Sequence, residues 1–138
     1  MAIHFYLESE RIRLKQRKRI KAWLKESLRS EGKCPGIVTI VLANDNTLLE
    51  LNKEYLSKNH YTDVITFDYS EGDKISGDIY VSVDRVVENA SKYKVPVIHE
   101  LYRVMIHGIL HMVGYKDDSV EGENEMRRKE DQHLKKIL

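Results

Sequence analysis

Residues Glu100 to Asp118 read E-L-Y-R-V-M-I-H-G-I-L-H-M-V-G-Y-K-D-D. Leu101, Val104, Met105, Ile106, Ile109, Leu110, Met112 and Val113 make this stretch apolar enough for a buried helix. The helix is expected over about Val97 to Val113, with Pro96 at or near its first turn. Gly114 is its natural stop, because glycine takes the left-handed cap conformation without strain. His107 and His111 are four residues apart, so both imidazoles fall on one helix face, one turn apart. Beyond Gly114 the chain can fold back, and Asp117 can bring a carboxylate to the pair. Two nitrogens and one oxygen, with a fourth position left open, is the ligand pattern of a catalytic zinc rather than a structural one.

The offsets of His107, His111, Gly114 and Asp117 match H-E-x-x-H-x-x-G-x-x-H, the zinc motif of the metzincin peptidases, with Asp in place of the last His. Gly108 stands where a metallopeptidase needs the Glu that acts as general base. A metal cage is therefore expected without the usual peptidase base. The plainer reading is a histidine pair that hydrogen-bonds within the core. Two unpaired buried imidazoles are costly, and Gly114 and Asp117 at these offsets favour a shared metal.

Outside this stretch, 138 residues form one domain, 1–138, long enough for a real core. No apolar run approaches the roughly 20 residues of a membrane span. The start M-A-I-H-F-Y-L-E-S-E has neither a basic lead nor an apolar core, so export is not indicated. The single cysteine, Cys34, excludes an internal disulfide and fits a reducing cytoplasm. Net charge is +1, but the charge is unevenly placed. Arg11 to Lys21 holds seven basic residues and no acid, while Asp117 to Asp131 holds seven acids against three bases. Such a basic block suits an anionic partner as well as it suits a solvated helix face.

In chain order, Ile3 to Leu7 reads as a short strand. A helix is expected from about Arg11 to Glu31, with Ile20, Trp23, Leu24 and Leu28 as its core stripe and Gly32 ending it. Gly36 to Ala43 is nearly all β-branched or apolar, as a central strand covered on both faces would be. Asn44 to Thr47 offers caps for a helix from Thr47 to about Leu56. Val64 to Phe67 and Ile79 to Val83 read as strands of a hairpin, turning at Ser70 to Lys74. Asp84 is expected to cap a helix through about Lys92, and Ser119 leads a polar last helix. The sum is an α+β fold: a mixed sheet of about four strands packed with about five helices, the histidine-bearing helix central.

Two blocks give the chain a resemblance. H-G-I-L-H-M-V-G-Y-K-D-D is similar to H-G-x-L-H-L-x-G-Y-D-H. L-N-K-E-Y-L-S-K-N-H-Y-T-D-V-I-T-F, followed by G-D-I, is similar to L-N-x-x-Y-R-x-x-D-x-x-T-D-V-L-S-F and G-D-I. Both patterns belong to the YbeY-type metal-dependent endoribonucleases, the rRNA maturation factors of bacteria, and the resemblance covers nearly the whole chain. It implies one catalytic zinc on His107, His111 and Asp117. It also implies a single-strand-preferring endoribonuclease of small-subunit rRNA maturation and ribosome quality control, by metal-activated attack of water on the phosphodiester. The implied partners are rRNA and the ribosomal small subunit or its proteins.

The chain departs from that pattern twice. The third histidine falls on Asp117, with Asp118 as a neighbour that can substitute, and Asp moves metal preference toward harder ions. The basic residue after the Tyr of the other block falls on Leu56, so Lys53, Lys58, Arg13 or Arg17 is left to hold RNA phosphate. His60 and Tyr61 are candidates to stack on bases, or ordinary loop residues. Asp63 and Asp78 read as turn caps or as groups that orient a metal ligand. The catalytic acid and base stay open. Two other classes compete: a metallohydrolase of another substrate, and a non-enzymatic RNA or ribosome binder with a structural metal.

Overall fold

Alternating and helical burial patterns sort the chain into four strands and five helices in a computed structural model that describes residues 2–57 and 61–138. The strands are β1 (Ala2–Leu7), β2 (Cys34–Ala43), β3 (Val64–Asp68) and β4 (Lys74–Ser82). The helices are α1 (Arg17–Ser30), α2 (Asp45–Tyr55), α3 (Val83–Tyr93), α4 (Val97–Val113) and α5 (Val120–Leu134). The sheet order is β1-β2-β4-β3, with β1, β2 and β4 parallel and β3 antiparallel to β4. This is the expected α+β arrangement with a mixed sheet and a β3–β4 hairpin.

The β2 strand is central because its two faces meet two different layers. Val38, Ile40 and Leu42 join the main core with α1 and α4, while Val41 and Ala43 pack with Leu48 of α2 and Ile65 of β3. Helix α4 lies at the heart of the main core: ten of its 17 residues are buried, more than any other helix here. At Gly108 it presses on the sheet. A Cβ there would come within 2.9 Å of Ile79 Cγ2 and 3.3 Å of Thr66 Cγ2. Gly108 therefore permits close helix–sheet packing, on the side where a peptidase Glu would have no room.

Two expectations are corrected. The first helix begins at Arg17, not Arg11, because Ile12 and Leu14 alternate into the core at 7% and 6% exposure with basic residues between them. That period of two belongs to extended chain. Gln16, at φ 58°, then turns the chain into α1. The cap of α3 is Ser82, whose hydroxyl accepts from the Arg85 N–H at 3.2 Å. Asp84 lies inside the first turn, where its two oxygens accept instead from Arg11 and from the Asp45 N–H.

Candidate metal centre

Helix α4 and the loop beyond Gly114 build the site as the local spacing requires. Gly114 takes φ +124°, which few other residues tolerate, and its N–H closes the helix on the Leu110 carbonyl at 3.1 Å. The chain turns back and Ser119 starts α5, accepting from the Gly122 N–H. Between these two ends the loop brings Asp117 to the imidazoles. His107 Nε2 lies 3.0 Å from His111 Nε2, and Asp117 Oδ2 lies 3.4 and 3.5 Å from the two. One ligand atom from each of the three residues falls within 4.8 Å of the others. Among the described residues no other group of His, Cys, Asp or Glu converges in this way, and Asp118 is not part of it.

A second layer holds the first. His107 Nδ1 is 2.6 Å from Glu130 Oε2, on α5. Glu130 is 5% exposed, and its other oxygen accepts from Arg103 Nη1 at 2.9 Å, while Arg103 Nη2 donates to Asp131 at 2.8 Å. With the Nδ1–H given to Glu130, the Nε2 lone pair of His107 is free to face Asp117 and His111. Burial alone would lower the His107 pKa, but the hydrogen bond and charge of Glu130 outweigh it and raise it above the ordinary histidine value. His111 moves the other way, lowered by burial and then by the neighbouring His107.

The loop is tethered at Tyr115. Its hydroxyl donates to Glu31 Oε1 at 2.6 Å, while Glu31 Oε2 is 2.7 Å from His133 Nε2 and 3.1 Å from Lys129 Nζ. This ties the end of α1, the loop and α5 together behind the ligands.

Beside the ligands opens a cavity of about 610 Å³, reached by His107 and Asp117 and lined by α3, α4, α5 and the start of β3. Asp63 lines it, and burial pushes its carboxyl up while His107 pulls partly back. Glu100 lines it too, likewise pushed up by burial, with Arg103 opposing and Asp63 and Glu130 adding.

The residues proposed for RNA contact are not gathered here. Arg13 lines a separate groove with Ile12, Ile98 and Tyr102, on the other side of α4 from the histidines. Arg17 is the exposed first residue of α1, and Lys53 pairs with Glu50 at 3.8 Å on α2. Lys58 and His60 lie outside the described residues. Tyr61 lies under the Arg85 guanidinium at 4.8 Å, and Asp78 sits in β4 between Thr39 and Phe67, away from the cavity. The basic groups that do line the cavity, Arg103 and Arg127, were not singled out from sequence, nor were Glu100 and Glu130. A signal for two of them existed: Glu100 and Arg103 are charges within an otherwise apolar helix, on the stripe that carries His107.

Comparison with known proteins agrees in extent. The profile of the family described as Endoribonuclease YbeY matches residues 3–138. A protein named Endoribonuclease YbeY from Flavobacterium psychrophilum is 53% identical over 113 residues, covering 82% of this chain and 81% of that one. A second of the same name, from Parabacteroides distasonis, is 38% identical over 138 residues, covering 100% and 96%. A solution structure of a protein from Thermotoga maritima superposes with a TM-score of 0.69 at 30% identity, covering 98% of this chain and 88% of that one.

Proposed function

Because this chain belongs to the Endoribonuclease YbeY family and is an endoribonuclease, we propose that it cleaves single-stranded regions of rRNA during small-subunit maturation, using one zinc ion held by His107, His111 and Asp117. The observation that carries the reading is the convergence of those three ligand atoms at the mouth of an open cavity. Three protein ligands suit a catalytic zinc, which leaves a position for a reactant. When bound there, zinc supplies a Lewis acid for a phosphoryl oxygen and lowers the pKa of water toward about 7.

The residues around it do the rest. Glu130, held by Arg103, keeps the His107 ring in the tautomer that presents Nε2. Tyr115 and Glu31 hold the loop from which Asp117 reaches in. Gly108, packed on Ile79, argues against peptide hydrolysis by the usual glutamate route. Arg127, exposed at the cavity and without an acidic partner within ion-pair distance among the described residues, is placed to meet a backbone phosphate more directly than Arg13, Arg17 or Lys53. We read residues 1–138 as a single hydrolase domain. It works with the ribosomal small subunit or its proteins, in a reducing cytoplasm that suits the lone, exposed Cys34. Among the described residues no helix is long and apolar enough to cross a membrane.

The test is cleavage of a single-stranded rRNA fragment by metal-free protein and by protein resupplied with zinc, alongside Asp117→Asn. Cleavage that returns with zinc in wild type and stays lost in Asp117→Asn is expected. Equal cleavage by metal-free and zinc-loaded protein contradicts the reading.

A further inference from the structure

Glu100 is an anomaly in the cavity beside the metal ligands. It is 5% exposed, yet its carboxylate has no hydrogen-bond or ion-pair partner among the described residues, and its neighbours reach it only through charge. The other acid of this wall, Glu130, is held by Arg103 and His107. The Glu100 oxygens open onto the cavity and no side chain among the described residues donates to them, so the donor they meet is water or a ligand that displaces it.

The surroundings restrict what that ligand is. Asp63, Glu100, Asp117, Glu123 and Glu130 line the cavity against two guanidiniums, Arg103 and Arg127, of which Arg103 is already bound. Arg127 is exposed where a backbone phosphate can meet it, but the acid excess around the buried Glu100 disfavours a phosphate at that wall. A second metal ion is not indicated either, since the convergent ligand set among the described residues is His107, His111 and Asp117 alone. A neutral group rich in N–H donors fits. Tyr93, 57% exposed, and His99 add flat rings on the lining, as a base needs for stacking. Glu100 precedes His107 by seven residues, two turns on the same helix face, or about 10.5 Å along the axis. That is a distance a nucleotide can bridge from its phosphate to the far edge of its base.

We propose that this cavity receives the base of a nucleotide flanking the cleaved phosphodiester, and that Glu100 selects guanine by accepting hydrogen bonds from its N1–H and N2–H groups. A carboxylate is an acceptor only, and guanine is the base with two adjacent donors on its pairing edge. The proposal rests on the metal site described above and adds the base preference to it.

The test uses zinc-loaded full-length protein and single-stranded RNAs of one base composition that carry a single guanosine, with the cut sites mapped. Cleavage beside that guanosine is expected. Its replacement by inosine, which lacks the N2 amine, should lower kcat/KM about tenfold. In Glu100→Gln, with zinc content unchanged, guanosine and inosine should be cut equally. Replacing an atom of the RNA leaves the fold of the wild type untouched, so the comparison holds even where the variant folds poorly. Base-indifferent cutting by wild type, or the same guanosine-to-inosine ratio in Glu100→Gln, overturns the proposal alone. Zinc-loaded wild type that cuts none of the strands overturns the metal-site reading and this proposal with it.

Discussion

Two clusters in this molecule use the same chemistry to opposite ends. One is His107, His111, Asp117 and Glu130; the other is Glu31, Tyr115, Lys129 and His133. Each pairs imidazole with carboxylate at 2.6 to 2.7 Å. In the second, His133 is fully buried and Glu31 already receives three donors, from Tyr115, Lys129 and His133. Three donors hold it, and it acts as a clamp between α1, the 114–118 loop and α5. In the first, Glu130 takes donors from His107 and Arg103, and one ligand atom from each of His107, His111 and Asp117 lies within 4.8 Å of the others. The convergence of three candidate ligand atoms beside a cavity marks the site; a carboxylate held by three donors between elements marks the joint.

That contrast is broken most sharply by His111→Ala. It should remove a ligand and lower RNA cleavage by about a thousandfold, a loss of the several kcal/mol that a Lewis acid supplies. Its thermal unfolding should shift little, because His111 is only half-buried at the mouth of the site. His133→Ala should do the reverse. It opens a cavity and strips a donor from a buried carboxylate, so chemical denaturation should show a loss of about 3 kcal/mol, with zinc stoichiometry unchanged in the folded fraction. Between these lies Glu130→Gln, which keeps the shape and removes the charge that orients His107. Zinc affinity, read by chelator competition, should fall about tenfold to a hundredfold.

The smallest effect sharpens the comparison through pH. Burial raises the Glu31 pKa, but its bonds from Tyr115, His133 and Lys129 outweigh burial and hold it below the ordinary value of 4.5. A carboxylate held low in the folded state stabilises the protein above its unfolded value and loses that contribution as pH falls through its folded value. The stability gap between wild type and Glu31→Gln, measured by urea unfolding, should therefore be full at neutral pH and narrow on acidification below about 4.5. Asp63 and Glu100 are shifted upward and carry the opposite sign, so they gain rather than lose as pH falls.

What could be read from the chain follows from how local each signal is. His107, His111, Gly114 and Asp117 fall within eleven residues, and helix geometry alone brings the first two together. The strands β2 and β4 were visible as β-branched runs, and Asn44 as a cap. Glu130 was not visible. It lies 23 residues from His107, inside an acidic run that reads as a solvated helix, and only the packing of α5 on α4 turns it inward. The Glu31 clamp was hidden for the same reason, with its members 84 and 102 residues apart. The extended run before α1 reads as helix from the sequence because the strong stripe at Ile20, Trp23, Leu24 and Leu28 masks the alternation of Ile12 and Leu14. The expectation that Arg13 and Arg17 meet the substrate rests on charge density and on Leu56 standing where the family pattern has a basic residue. Charge density does not say which side of α4 the block faces, and Arg13 lies on the side away from the histidines.

The most direct test of the account is the metal content of purified protein, measured by elemental analysis after zinc is supplied, for wild type and the His107→Ala/His111→Ala double variant. The account predicts close to one zinc per chain in wild type and none in the variant. Zinc-free wild type, or equal zinc in both, would contradict it.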